Sequence, residues 1–238
     1  MFELVANERL VVALDGDSLV RAQEIVDLLR PYVQNFEVGM ELFTACGPAA
    51  IEMIRTAERH AFLDLKYHDI PSTVAKAAAC AAKMGVSLLN IHGSGGKRMM
   101  SEAREAVIKA VPNNPPKLIA VTVLTSMETL GDIGVQFEVR EQVIRLAHLA
   151  RDVGLDGVNV SPLEIQLVRQ TCGPEFLIVA PGIRLHGTEA YDQRRVGGPR
   201  QAIESGADYL VVGRPITEAR DPVGVVQEML REIGTTGN

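Results

Sequence analysis

AFLDLKYHDIPSTVAKAAACAAKM, residues 61–84, holds one complete strand–loop–helix unit. Ala61–Leu65 is a short apolar run of strand length, and Thr73–Met84 is an Ala-rich stretch of helical length. The polar link between them carries Lys66, His68 and Asp69. Outward from this unit the same alternation recurs along the chain. Strands are expected at Leu10–Leu14, Phe36–Met40, Leu88–His92, Leu118–Val123, Gly157–Val160, Phe176–Ala180 and Tyr209–Val212. Helical patterns fall between them at Ser18–Leu29, Pro48–Arg59, Lys97–Ala110, Val139–Val153, Glu164–Gln170 and Gln201–Glu204, with a last one at Val223–Arg231. Apolar residues in these recur three or four apart, as Leu19, Ala22, Val26 and Leu29 do.

Strand–helix alternation repeated about eight times predicts a parallel sheet, and a chain of 238 residues suits its closure into a single-domain (β/α)8 TIM barrel covering residues 1–238. The runner-up is an open doubly wound sheet, but the glycine fingerprint expected after an early strand of such a fold is missing. In a barrel the chemistry sits at the C-terminal ends of the strands and in the loops beyond. Asp15, Glu37 with Glu41, Asp64 with Lys66, His92, Thr125 with Ser126, Ser161, Arg184 and Arg214 all fall there.

The formal net charge of -6 argues against a protein that coats nucleic acid, since phosphate backbones attract basic surfaces. A local basic site can still hold one phosphate. Cys46, Cys80 and Cys172 are widely spaced, odd in number and without the pairing of a zinc site, which points to small-residue packing and a reducing, cytoplasmic setting. The N-terminal MFELVANERL has no basic region followed by an apolar run, and no apolar run is long enough to cross a bilayer, so neither a signal peptide nor a membrane partner is expected.

The chemistry concentrates in FLDLKYHDIPSTV, residues 62–74. Asp64 and Lys66 lie two apart on an expected strand, so alternation puts both side chains on one face, toward the barrel mouth, with Asp69 in the loop beyond. An ammonium among carboxylates is a poor nucleophile but a good electrostatic partner and proton donor for a developing carbanion. The same pair also fits a structural salt bridge on the rim. VVGRP, residues 211–215, offers a glycine and an arginine after the last strand, where barrels often bind phosphate. APGIR, residues 180–184, opens a long polar loop whose Gln193, Arg194 and Arg195 offer donors, either as a lid or as a solvated connection. His92 suits a rim donor or a packed histidine, and His68 suits support of the Asp69 loop.

Taken together, ALD (13–15), VGMELF (38–43), DLKYHDIPST (64–73), VTVLTS (121–126), APGIR (180–184), DQRRV (192–196) and VVGRPIT (211–217) resemble the orotidine 5′-phosphate decarboxylase family, in order and over nearly the whole chain. DxKxxD alone is shared more widely; its combination with APGIR and VGRPIT is specific. The resemblance implies conversion of orotidine 5′-monophosphate to UMP without metal or organic cofactor, in a homodimer with shared active sites. By motif, Lys66 would protonate C6 of the pyrimidine as carbon dioxide leaves, and Asp64 would flank the departing carboxylate. Asp69, with Thr73 beside it, would reach across the dimer interface. Asp15 matches a ribose-hydroxyl ligand, Thr125 and Ser126 the readers of the pyrimidine edge, and Arg184, Gln193, Gly213 and Arg214 the lid and phosphate grip.

The family pattern before VGMELF carries a lysine, and here the residue is Glu37. That lysine completes an alternating Lys–Asp–Lys–Asp array in the family and contacts the ribose. With glutamate, one lysine stands among Asp15, Glu37, Asp64 and Asp69, and a more negative pocket is expected, with at least one carboxyl pKa raised. A glutamate on this strand also resembles the magnesium-dependent sugar-phosphate decarboxylases of the wider superfamily. A UMP-binding variant with impaired catalysis is the non-enzymatic alternative.

Overall fold

Each apolar run of the sequence becomes a strand whose neighbours in space are its neighbours in the chain. The computed structural model describes residues 4–185 and 195–234. Among these, β1 (Leu10–Leu14), β2 (Asn35–Gly39), β3 (His60–Tyr67), β4 (Leu88–His92), β5 (Lys117–Val121), β6 (Gly157–Asn159), β7 (Leu177–Ala180) and β8 (Tyr209–Val212) form a closed barrel in sequence order. All ladders are parallel, and β8 returns to β1 through Leu10↔Leu210, Val11↔Val211 and Val12↔Val212. The expected (β/α)8 barrel is therefore present.

The helices that return the chain are α1 (Leu19–Leu29), α2 (Ala49–Thr56), α3 (Pro71–Lys83), α4 (Gly96–Ala110), α5 (Val139–Asp152), α6 (Ile165–Cys172), α7 (Pro199–Glu204) and α8 (Pro222–Gly234). Their buried faces follow the helical period: α1 turns Ala22, Ile25, Val26 and Leu29 inward, four positions on one stripe. Ser18 caps α1 by accepting the Arg21 N–H at 3.3 Å. The largest apolar cluster lies between these helices and the strands, with Phe36, Leu63, Ile91, Met99 and Ile178 fully buried.

A second, smaller cluster consists of Val11, Ala13, Phe62, Leu88, Ile119, Val179 and Val211, drawn from strands all round the barrel. It fills the interior as stacked side chains do in such barrels. Two residues further along each strand, alternation returns the chain to the same face. Those positions are Asp15, Asp64, Asn90, Val121, Pro181 and Gly213. The site is thus the polar layer that tops an apolar plug.

Several boundaries differ from the sequence expectation. Met40 does not end β2 but starts a short helix, Met40–Cys46. The α3 helix begins at Pro71 rather than Thr73, with proline at a first-turn position where its missing N–H has no partner to lose. The fifth strand ends at Val121, and Thr122 beyond it donates its hydroxyl to the Asn159 carbonyl at 2.9 Å. A second short helix, Arg214–Thr217, follows β8 directly. Boundary shifts of one or two residues are ordinary for element ends. Cys80, expected to pack among alanines, is exposed; Cys46 and Cys172 are partly buried, and all three are free.

Candidate active site

The geometry is built outward from Lys66. Sequence alternation predicts that Asp64 and Lys66 share a face, and they do, as an ion pair between Lys66 Nζ and Asp64 Oδ2. The route differs from a regular pleat. The β3–β4 register shifts between Leu63 and Tyr67, and Lys66 has φ 49°, in the left-handed region that a side chain rarely occupies. Such a conformation costs about 1–3 kcal/mol and persists only where surroundings impose it. Asn90 on β4 imposes it here. Its Oδ1 accepts the Lys66 backbone N–H at 2.8 Å, while its Nδ2 donates to Asp64 Oδ1. Asp64 therefore has one oxygen held by Asn90 and the other by Lys66.

Around this array lies a cavity of about 280 Å³ at the C-terminal end of the barrel. Asp15, Glu37, Asp64, Lys66, Thr125, Arg184, Gly213 and Arg214 are among the residues that line it. Gly213 is needed for its shape: a Cβ there would lie 2.7 Å from Asp15 Oδ2. The Asp15 pKa is raised, mainly because the mouth strips water from the carboxylate, against the opposing pull of Arg214. Glu37, only 7% exposed, is raised well above the usual carboxylate range. Burial is the main cause, reinforced by the Asp64 carboxylate, opposed by Lys66, and reinforced again by Asp15 and a hydrogen bond with Asp64.

This bears on the expected electrostatics. Glu37 makes the pocket more negative only to the extent that it is ionised. Burial and the Asp64 carboxylate disfavour the charged form of Glu37, so it adds less negative charge than its residue type implies to a wall that Lys66, Arg184 and Arg214 share with Asp15 and Asp64. The raised carboxyl pKa expected from crowding falls on Glu37 and on Asp15.

Not every predicted site residue joins this cavity. Asp69 and Thr73 are exposed and do not line it; Asp69 Oδ1 accepts the Ile70 N–H at 2.6 Å. Ser126 is also outside the lining, and Gln193 lies outside the described residues. His92 is a packed, half-buried histidine with its ring 5.2 Å from that of His68, and burial lowers its pKa. It does not line the cavity. Arg195, read from sequence as a loop donor, is 7% exposed and paired with Glu164 at 2.8 Å. Asn90 was missed. Its signal was a lone amide in the middle of the apolar strand LLNIH.

Comparison with known proteins decides the kinship. The model of the family described as "Orotidine 5'-phosphate decarboxylase / HUMPS family" matches residues 8–229. The chain belongs to that family. It is 48% identical to the orotidine 5′-phosphate decarboxylase of Moorella thermoacetica over 239 residues, covering 98% of this chain and 95% of that protein. The Pelobacter propionicus enzyme of the same name is 49% identical over 230 residues, covering 96% of each. Among solved structures, orotidine 5′-phosphate decarboxylase from Lactobacillus acidophilus superposes with a TM-score of 0.83 at 36% identity, covering 95% of this chain and 99% of that one. That decarboxylase thus shares this barrel over nearly its whole length. No described helix is long and apolar enough to cross a membrane.

Proposed function

We propose that this protein decarboxylates orotidine 5′-monophosphate to UMP in pyrimidine biosynthesis. The observation that carries the reading is the pairing, across one cavity, of the Lys66–Asp64–Asn90 array with Arg184 and Arg214. One end supplies a fixed cation and a proton; the other suits a phosphate. Relatives 47–49% identical over nearly their full length bear the name of this activity.

Loss of carbon dioxide breaks the bond between C6 and the carboxylate carbon and leaves the electron pair on C6. No adjacent carbonyl spreads that charge, so stabilisation must come from a preorganised cation. Lys66 Nζ supplies it, and then its proton, forming the C6–H bond; the neutral amine regains a proton from water. Asp64 faces the departing carboxylate and aims Lys66. Asp15, with Glu37 beside it, takes the ribose hydroxyls, and Thr125 and Ser126 read the pyrimidine edge. Arg184, Gln193, Gly213 and Arg214 grip the phosphate, whose remote binding energy assembles the charged end. No metal or organic cofactor takes part. Asp69 and Thr73, exposed and outside the cavity, are free to reach a second subunit's site in a homodimer, and the protein acts in the cytoplasm.

The test is ultraviolet loss of orotidylate by purified protein, with and without a chelator. Turnover unchanged by the chelator is expected. Chelator-sensitive turnover of a sugar phosphate instead, with orotidylate untouched, would favour the magnesium-dependent branch and overturn the reading.

A further inference from the structure

Outside the cavity, a buried ion pair ties the loop after β6 to two segments that line its wall. Arg195 Nη1 meets Glu164 Oε1 at 2.8 Å, with the Arg195 and Glu164 side chains 8% and 2% exposed. Arg195 Nη2 donates to the carbonyls of Val123 at 3.3 Å and Leu124 at 3.1 Å. Val123, Leu124 and Thr125 line the cavity, and Glu164 lies in the loop between β6 and α6. Two residues beyond Arg195, Gly197 accepts the Arg184 N–H at 2.9 Å and donates to the Gly182 carbonyl at 3.2 Å. A Cβ at Gly197 would sit 2.6 Å from Pro162, so this backbone is seated directly on the loop after β6.

The pair is poorly arranged as a stabilising device. Arg195 Nε and Glu164 Oε2 are both buried without a hydrogen-bond partner among the described residues. Burying two charges with unmet bonding capacity commonly gains nothing over an apolar pair. What the arrangement does provide is a fixed position: one guanidinium sets the carbonyls immediately before Thr125, and its own backbone runs on into the partner of Arg184.

We propose that Arg195 is a positioning residue that, clamped by Glu164, fixes the Thr125 wall of the cavity relative to the Arg184 wall. The inference deepens the orotidylate reading and rests on it. Arg195 touches no substrate. It acts through Thr125 on one side and through Gly197 and Arg184 on the other, so that the pyrimidine and phosphate contacts stay at one spacing.

The test uses Arg195→Ala, Arg195→Lys, Thr125→Ala and the double variant Arg195→Ala/Thr125→Ala. Melting temperature, kcat and KM for orotidylate, and UMP affinity by calorimetry are measured on folded protein well below each melting point. Arg195→Ala is expected to raise both KM and the UMP Kd at least tenfold. The double variant should be no more than about twofold worse than Arg195→Ala, because Thr125 is already misplaced. Arg195→Lys, with fewer donors in another geometry, should fall between. A lower melting temperature with KM and UMP Kd within twofold of the unsubstituted chain would overturn the proposal, as would multiplicative effects in the double variant. Should Arg195→Ala fail to fold, Arg195→Lys and Glu164→Gln carry the same measurements. Inactivity of the unsubstituted chain would defeat the functional reading itself, whereas unaltered Arg195 variants of an active enzyme would defeat only this inference.

Discussion

Glu37 is where residue chemistry bears hardest on activity. Its carboxyl pKa is raised well above the usual carboxylate value chiefly by burial, and the Asp64 carboxylate beside it adds to the effect. A raised folded-state pKa means the folded protein holds this proton more tightly than the unfolded chain does. The associated stability is fully present below the unfolded value, near 4.5, and is lost as pH rises through the raised folded value. Ionisation there also turns the wall more negative against an anionic substrate. We therefore expect kcat/KM for orotidylate and the urea midpoint both to decline on the alkaline side, with Glu37→Gln removing that decline. Glu37→Lys should restore a second cation and raise decarboxylation at least tenfold, about 1.4 kcal/mol of barrier. Equal or lower turnover in the lysine variant would remove Glu37 as an impediment. The position of Glu37 was readable from its place before VGMELF. Its burial beside Asp64, which raises the carboxyl pKa, was not, because it depends on the ladder that sets Glu37 against Ala13 and Phe62.

Strands β3 and β4 act together as the element that aims Lys66. The bulge near the end of β3 gives Lys66 its left-handed backbone, and Asn90 in the middle of β4 ties that backbone and Asp64 at once. Asn90→Ala should leave the Lys66 N–H without its acceptor and Asp64 without one donor, costing about 1–3 kcal/mol of stability. Turnover should fall at least tenfold in protein that remains folded, checked by urea unfolding beside steady-state kinetics. Unchanged kcat with only a lower unfolding midpoint would confine Asn90 to the fold. Alternation correctly paired Asp64 with Lys66, but it could not show the bulge, since a bulge is a property of the neighbouring strand's register. The short helix Met40–Cys46 was hidden similarly, for Met40 reads as well at the end of a strand as at the start of a helix.

At the scale of the molecule, repeated strand and helix periods predicted a parallel sheet with both faces covered, and the chain length, with no glycine fingerprint of an open doubly wound sheet, favoured closure into a barrel. The rim rule then placed Asp15, Glu37, Asp64, Lys66, Thr125, Arg184 and Arg214 about one cavity. It could not place Asp69 and Thr73, which stand outside that cavity in a single chain. If two subunits share each site, Lys66→Ala and Asp69→Ala variants are each inactive alone. After mixing and subunit exchange, one site in each hybrid dimer regains both groups, and activity should recover to about a quarter of that of the unsubstituted protein. No recovery in demonstrably hybrid dimers would assign Asp69 to its own subunit's site or to none.

The central claim is that Lys66 is the cation and proton donor of an orotidylate decarboxylase. Its most direct measurement is turnover of orotidylate by the unsubstituted chain and by Lys66→Ala, both shown to be folded by their unfolding transitions. The account predicts steady conversion to UMP by the first and near-complete loss in the second. Substantial turnover by Lys66→Ala would contradict it.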